Sequence, residues 1–369
     1  MTEDQSVKAK RYQHQKLWLT LVNFLVTFFL LLAAIFTGFT VWARDIAVSF
    51  SPVSLISVLI YFSIFSLYFL IFDYPLSIYS GYFLEKKYEL SNQSFLSWNI
   101  EVIKKALLSF GVTVVLVEIF YLLVRSSPEN WWWMIWLVWT AFTLIFGRLA
   151  PVLIFPLFYK FKPLEDEDLK SRILKLVENN GLKLENIYVF NMSKTTKKAN
   201  AAFCGMGKTQ RVILADTLIE NFTPEEIEVV VAHEMGHCKL HHLRNRIVWG
   251  MVISFVAFFL AYKICGTLAV NMGYGGLEDL ASFPLILLVF FFFGLVLTPL
   301  ENTYSRKHEY EADDFAFQKT QYRASCVSVM EKLAKLNLAD PNPHPFIEFI
   351  LYDHPSITHR IDRFRSHGA

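Results

Sequence analysis

From Leu17 to Ala43 the chain carries no charged residue, a run long enough to cross about 30 Å of hydrocarbon with tilt. Five more apolar stretches repeat the pattern, at about 53–72, 106–124, 131–158, 247–262 and 282–300. They predict six membrane-spanning helices. The second is interrupted by Asp73 and Pro75 and continues toward Phe83, and the fourth opens on Trp131, Trp132 and Trp133, residues suited to a membrane interface. Glu118 and Arg148 fall inside spans, where a lone charge is costly; they either face water or pair.

Between the fourth and fifth spans the pattern changes. Leu169, Ile173, Leu176 and Val177 recur at helical spacing until Gly181. Ile187 to Phe190, Ala199 to Phe203 and Val212 to Ala215 predict short strands, the last two separated by a turn through Gly205, Gly207 and Lys208. Thr223, Pro224 and Glu226 supply an N-cap, a first-turn proline and a capping-box partner for a helix through Ile227, Val230 and Val231. Four sections follow: an N-terminal membrane region of four spans (1–158), a soluble segment (159–245), two further spans (246–300) and a C-terminal helical segment (301–369).

Composition agrees. Hydrophobic residues make up 54% of the 369, charged residues 18%, and the mean hydropathy is +0.36, more apolar surface than one soluble core buries. A net charge of +2 argues against nucleic acid as a partner. Lys8, Lys10, Arg11, Lys16, Lys86, Lys87, Lys104, Lys105, Arg306 and Lys307 lie on one side of the predicted spans. Arg44, Arg125 and Lys263 lie on the other, near Glu278 and Asp279. That asymmetry predicts a cytoplasmic N-terminus, soluble segment and C-terminus. Four cysteines without a CxxC pair read as buried free thiols in a reducing compartment.

The chemistry sits on the helix that starts at Thr223. His233 and His237 are four apart and share a face, so both imidazoles reach one cation, while Glu234 can contact water held there. A zinc ion lowers the pKa of such a water and polarises a carbonyl, and Glu234 is placed to move the proton. Gly236 inside this helix points to a close neighbour or ligand. His241 and His242 read as ordinary side chains. A third ligand is needed, and the residue six after His237 is Leu243. The candidate is Glu309, beyond the sixth span, with Asp313 one helical turn later to brace a ligand histidine.

Together, His233-Glu234-Met235-Gly236-His237 and Glu309-x-x-x-Asp313 resemble the zinc site of the type I CAAX prenyl protease family of integral-membrane zinc metallopeptidases. Phe155 to Leu164, Glu85 to Ser94, Asn200 to Gly205, Arg211 to Leu218, and Tyr352-Asp353-His354-Pro355 with Arg360 resemble further parts of that family. The resemblance implies a polytopic α-helical membrane protein, six to seven helices around a water-filled chamber, with an α+β metalloprotease domain. It implies one Zn2+ per chain on His233, His237 and Glu309, Glu234 as general base and acid, and Asp313 behind the ligands. His354 and Arg360 would stabilise the oxyanion or bind substrate, and Asn200, Ala201, Ala202 and Phe203 would hold the substrate as an added strand. The implied reaction is C-terminal processing of lipidated or short peptides. A membrane-protein quality-control protease resembling the heat-shock membrane metallopeptidases is a second reading, and a non-catalytic zinc-binding protein or transporter a third; the latter lacks the paired half-repeats expected of a transporter.

Overall fold

The computed structural model describes residues 3–205 and 210–366. The first uncharged run does not form one helix. α1 (Glu3–Phe36) stops at Thr37 and Gly38, and Gly38 has φ 78°, a left-handed conformation that glycine adopts cheaply. α2 (Phe39–Phe50) then has only 12 residues, about 18 Å, too short to cross. α3 (Ser54–Lys87), α4 (Phe95–Ser126) and α5 (Trp131–Phe158) complete the N-terminal half. π-helical turns lie at Tyr79–Phe83 in α3 and Ala150–Ile154 in α5, close to Pro75 and Pro151, where a missing N–H disturbs the hydrogen-bond ladder. Among the described residues no ion pair joins Glu118 to Arg148. Arg148 is exposed, and one oxygen of Glu118 is buried without a partner.

The soluble segment forms β1 (Phe161–Pro163), α6 (Glu167–Asn179), β2 (Asn186–Phe190), β3 (Ala201–Cys204), β4 (Arg211–Ala215), α7 (Asp216–Asn221) and α8 (Pro224–Lys239). The sheet order is β1-β2-β4-β3: β2 and β4 are parallel, and β1 and β3 pair antiparallel at the two edges. β1 was not evident in the sequence, and the turn through Gly207 and Lys208 lies outside the described residues. Leu169, Ile173 and Val177 of α6 pack with Ile187, Leu214, Ile227 and Val231 in one core. The predicted capping box of α8 is formed: Thr223 Oγ1 accepts from Glu226 N, and Glu226 Oε2 accepts from Thr223 N at 2.8 Å.

α9 (His242–Asn271) and α10 (Phe283–Thr320) follow, then α11 (Arg323–Asn337), α12 (Pro345–Leu351) and α13 (Ile357–Ser366). Six described helices, α1, α3, α4, α5, α9 and the helix containing α10, are long and apolar enough to span a membrane. Their connections sort into two ends. At one, Arg44 Nη1 donates to Asp279 Oδ2 at 2.7 Å, and Arg125 bonds Ser54 and the Glu278 carbonyl. At the other, the Glu85 carboxylate gathers the Tyr12 hydroxyl at 2.5 Å and the Lys16 and Lys198 ammonium groups, both at 3.1 Å. Gln13 donates to the Leu338 carbonyl at 2.8 Å. The N-terminus, the α3–α4 connection and the metalloprotease segment therefore share one end, as an even number of spans requires.

α10 carries the chain from the membrane into the soluble part without interruption: 38 residues, about 57 Å. α8 packs across it. A Cβ on Gly236 would stand 3.2 Å from the Ala312 Cα and 3.3 Å from Phe315, so the close neighbour expected at this glycine is the α10 backbone. Overpacking of this kind typically costs about 1–3 kcal/mol. Gly236→Leu is expected to lower the thermal midpoint and the metal retained after chelator dialysis together; an unchanged melting curve with full metal content would contradict this packing.

Candidate active site

The crossing of α8 and α10 sets three donors against one point. His233 Nε2 and His237 Nε2 are 3.2 Å apart, and each lies 3.3 Å from a different oxygen of Glu309. A tetrahedron with corners about 2.0 Å from its centre, the usual zinc–nitrogen and zinc–oxygen length, has edges of about 3.3 Å. Glu309 Oε2 is buried and makes no aligned hydrogen bond, an orphan of the kind a cation satisfies. Donor types and spacing thus fit one small divalent cation with a corner left for water or substrate.

Each histidine is held from behind. His233 Nδ1 meets Asp313 Oδ1 at 3.0 Å, and Arg360 grips the same carboxylate in a two-pronged contact, Nε at 2.8 Å and Nη2 at 2.6 Å. Desolvation disfavours a cationic His233, but Asp313 and Glu309 outweigh it and push its pKa up to about 9. Cation binding near neutral pH therefore releases a proton. His237 Nδ1 meets His242 Nδ1 at 3.0 Å, and His242 Nε2 meets Glu311 Oε2 at 3.0 Å. His242 is buried and stacks on His308, centroids 4.1 Å apart and planes within 9°. His242, His308 and Glu311 form a second His/Glu cluster, but the ring nitrogens of two parallel stacked rings do not converge on one ion.

The sequence reads His242 as an ordinary side chain, and on a continuous helix a residue five after His237 would point to a different face. The helix ends first. His241 takes φ 58°, and this left-handed turn brings His242 back to His237.

A cleft of about 410 Å³ opens beside the donors, lined by His233, Glu234, Glu309, Asn200, Ala201 and His354 among others. Burial raises the Glu234 carboxyl pKa, opposed by the two nearby imidazoles. His354 stands exposed on the rim, its Nε2 3.5 Å from Glu309 Oε1 and its Nδ1 2.9 Å from Asp353 Oδ1. Arg360 is buried with Nε and Nη2 committed to Asp313, and its Nη2 is 3.9 Å from Glu309. Arg360 also lines the cleft, so it both holds Asp313 and borders the substrate space. Asn200 and Ala201 reach the cleft; Ala202 and Phe203 lie farther along β3, and Phe203 packs toward the core.

The comparisons with known proteins cover both halves. The model of Peptidase family M48 matches residues 163–367, more than half of the chain. The chain belongs to this family. Residues 1–160 match a second M48-linked model, described as the CAAX prenyl protease N-terminal domain with five membrane helices. The crystal structure of S. mikatae Ste24p superposes with a TM-score of 0.87 at 25% identity, covering 99% of this chain and 90% of that one. CAAX prenyl protease 1 of Saccharomyces cerevisiae is 30% identical over 308 residues, 78% of this chain and 68% of that protein. An uncharacterized metalloprotease of Bacillus subtilis, YhfN, is 28% identical over 357 residues, 96% of this chain and 84% of that protein. This M48 protein is a multi-pass membrane metalloendopeptidase. In this chain residues 1–160 carry α1 to α5, of which α2 is too short to cross a membrane.

Partners behind a ligand histidine typically contribute about 10–100-fold in metal affinity. His242→Ala is expected to weaken metal binding within that range in a chelator competition assay, with the fold retained. Unaltered affinity would remove His242 from the support of His237.

Proposed function

We propose that this M48 peptidase is a one-zinc endopeptidase that cleaves near the C-terminus of lipid-modified or short peptides, CAAX-type substrates included, on the cytoplasmic side of its membrane. The observation that carries the catalytic reading is the placement of Glu234 in the cleft wall beside the three convergent donors. The substrate class is supported by similarity to proteins named CAAX prenyl protease 1 and by the match over residues 1–160. The cytoplasmic side is supported by the lysines and arginines gathered at the metalloprotease end.

His233, His237 and Glu309 hold the zinc, which when bound acidifies a water and polarises the scissile carbonyl. Glu234 accepts the water's proton and returns it to the departing amine. His354 donates toward the oxygen on which negative charge develops. Arg360 is a positioning residue: it fixes Asp313, which fixes the His233 ring. Asn200 to Phe203 offer the substrate a free strand edge. Ala215 N donates to Asn200 O, so by antiparallel alternation Ala202 and Cys204 complete the ladder with β4, and Ala201 and Phe203 turn their backbone groups outward. Asn200 Oδ1 occupies the Ala201 N–H at 2.9 Å and would yield it to an added strand.

Glu234→Gln is expected to retain zinc and lose about 10²–10⁴-fold in kcat, measured with a quenched-fluorescence peptide; near-normal turnover would exclude Glu234 as the base. Ala201→Pro removes one outward N–H and no bond to β4. It should raise KM severalfold at unchanged zinc content, and unaltered KM would count against strand addition.

A further inference from the structure

The short helix α12 is bound to the protein on one side only. Glu348 is 8% exposed and accepts from Ser356 N at 3.0 Å, so it marks the inner face. Phe346 and Phe349, three apart and on the opposite face, are 62% and 46% exposed, and Leu351 after them is 40% exposed. Three large apolar residues on seven positions make an unusual water-facing surface.

The height of α12 is fixed by its bonds to α10. Asn302 Nδ2 donates to the Ile350 carbonyl at 2.7 Å, and Arg306 Nη1 to the Glu348 and Tyr352 carbonyls at 2.9 and 2.6 Å. On α10 the exposed apolar stripe of Leu295, Val296 and Leu300 ends at Leu300. Asn302 and Arg306 follow it by about 3 and 9 Å along the axis. Between them Tyr304 packs on Trp249 of α9, ring centroids 5.7 Å apart, a pair typical of the interfacial belt. Lys307, beside Arg306, is largely exposed and loosely paired with Glu311 at 3.9 Å.

We propose that α12 lies in the headgroup–acyl boundary of the bilayer that the six helices cross, with Phe346 and Phe349 inserted, as an interfacial anchor distinct from the spans. The occupant is lipid because the exposed apolar face of α12 lies within about 9 Å, measured along α10, of the end of that helix's exposed apolar stripe, at the level of the Tyr304–Trp249 pair. Leu351 and His354 are three residues apart, so the anchor also sets where His354 stands over the cleft; this consequence alone rests on the proposed role of His354.

The test uses the full chain in phosphatidylcholine nanodiscs, with 4-fluorophenylalanine placed at 346, at 349 or, as a solvent control, at 322. A nitroxide at carbon 5 of the lipid acyl chain should broaden the 346 and 349 fluorine signals strongly and the 322 signal little. A water-soluble gadolinium chelate should do the reverse. Gadolinium sensitivity at 346 and 349 equal to that at 322 overturns the proposal, and so does insensitivity to both agents, which would mean a protein surface, such as a second copy, covers them. Separately, Phe346→Asp with Phe349→Asp should lower kcat about fivefold or more at full metal content. If the fluorine result holds and kcat does not change, the anchor stands and its link to His354 fails.

Discussion

Everything chemical in this protein depends on how closely α8 approaches α10. Two histidines on one helix make a weak cation site; the carboxylate that completes it arrives on another helix, 72 residues later in the chain. Gly236 lets the two backbones meet without a side chain between them, and the result is two imidazole nitrogens 3.2 Å apart, each 3.3 Å from one oxygen of the same carboxylate. The same contact brings Asp313 behind His233 and Glu311 behind His242. A larger residue at position 236 would therefore disturb ligands and their supports at once.

Those supports share a logic. Neither ligand histidine is left free to rotate: one is held by a buried carboxylate that an arginine fixes, the other by a second imidazole that an acid fixes. The support of His237 lies outside the cleft, while Glu234, His354, the start of β3 and the Asp313–Arg360 pair line it. Rigidity behind the metal and openness before it suit a site that must position a water and still admit an extended peptide.

Much of this was legible in the sequence because local rules carry it. Four-residue spacing placed His233 and His237 on one face, the Thr223–Glu226 pair set where that helix begins, and Gly236 announced a tight contact. What stayed hidden depends on departures from regularity or on distance. β1 has three residues, one of them Pro163, and exists because Phe161 pairs with Phe190; no periodicity marks it. The uncharged run from Leu17 continues past Gly38, so hydropathy does not reveal the end of α1 there. His242 lies on the wrong face until His241 turns left-handed. The contact between Arg360 and Asp313 joins positions 47 apart, a pairing only the tertiary fold makes.

α10 also has a mechanical side. It joins an apolar, span-length part to Glu309 in one helical rod, so a tilt transmitted rigidly would swing that carboxylate against two histidines fixed on another helix. Pro299 sits in this rod at the close of the exposed apolar stripe, where the missing N–H makes a helix easiest to bend. The rod therefore has its softest joint ten residues before Glu309, so a bend there changes the angle of the apolar part and leaves the α8–α10 contact that spaces the ligands in place.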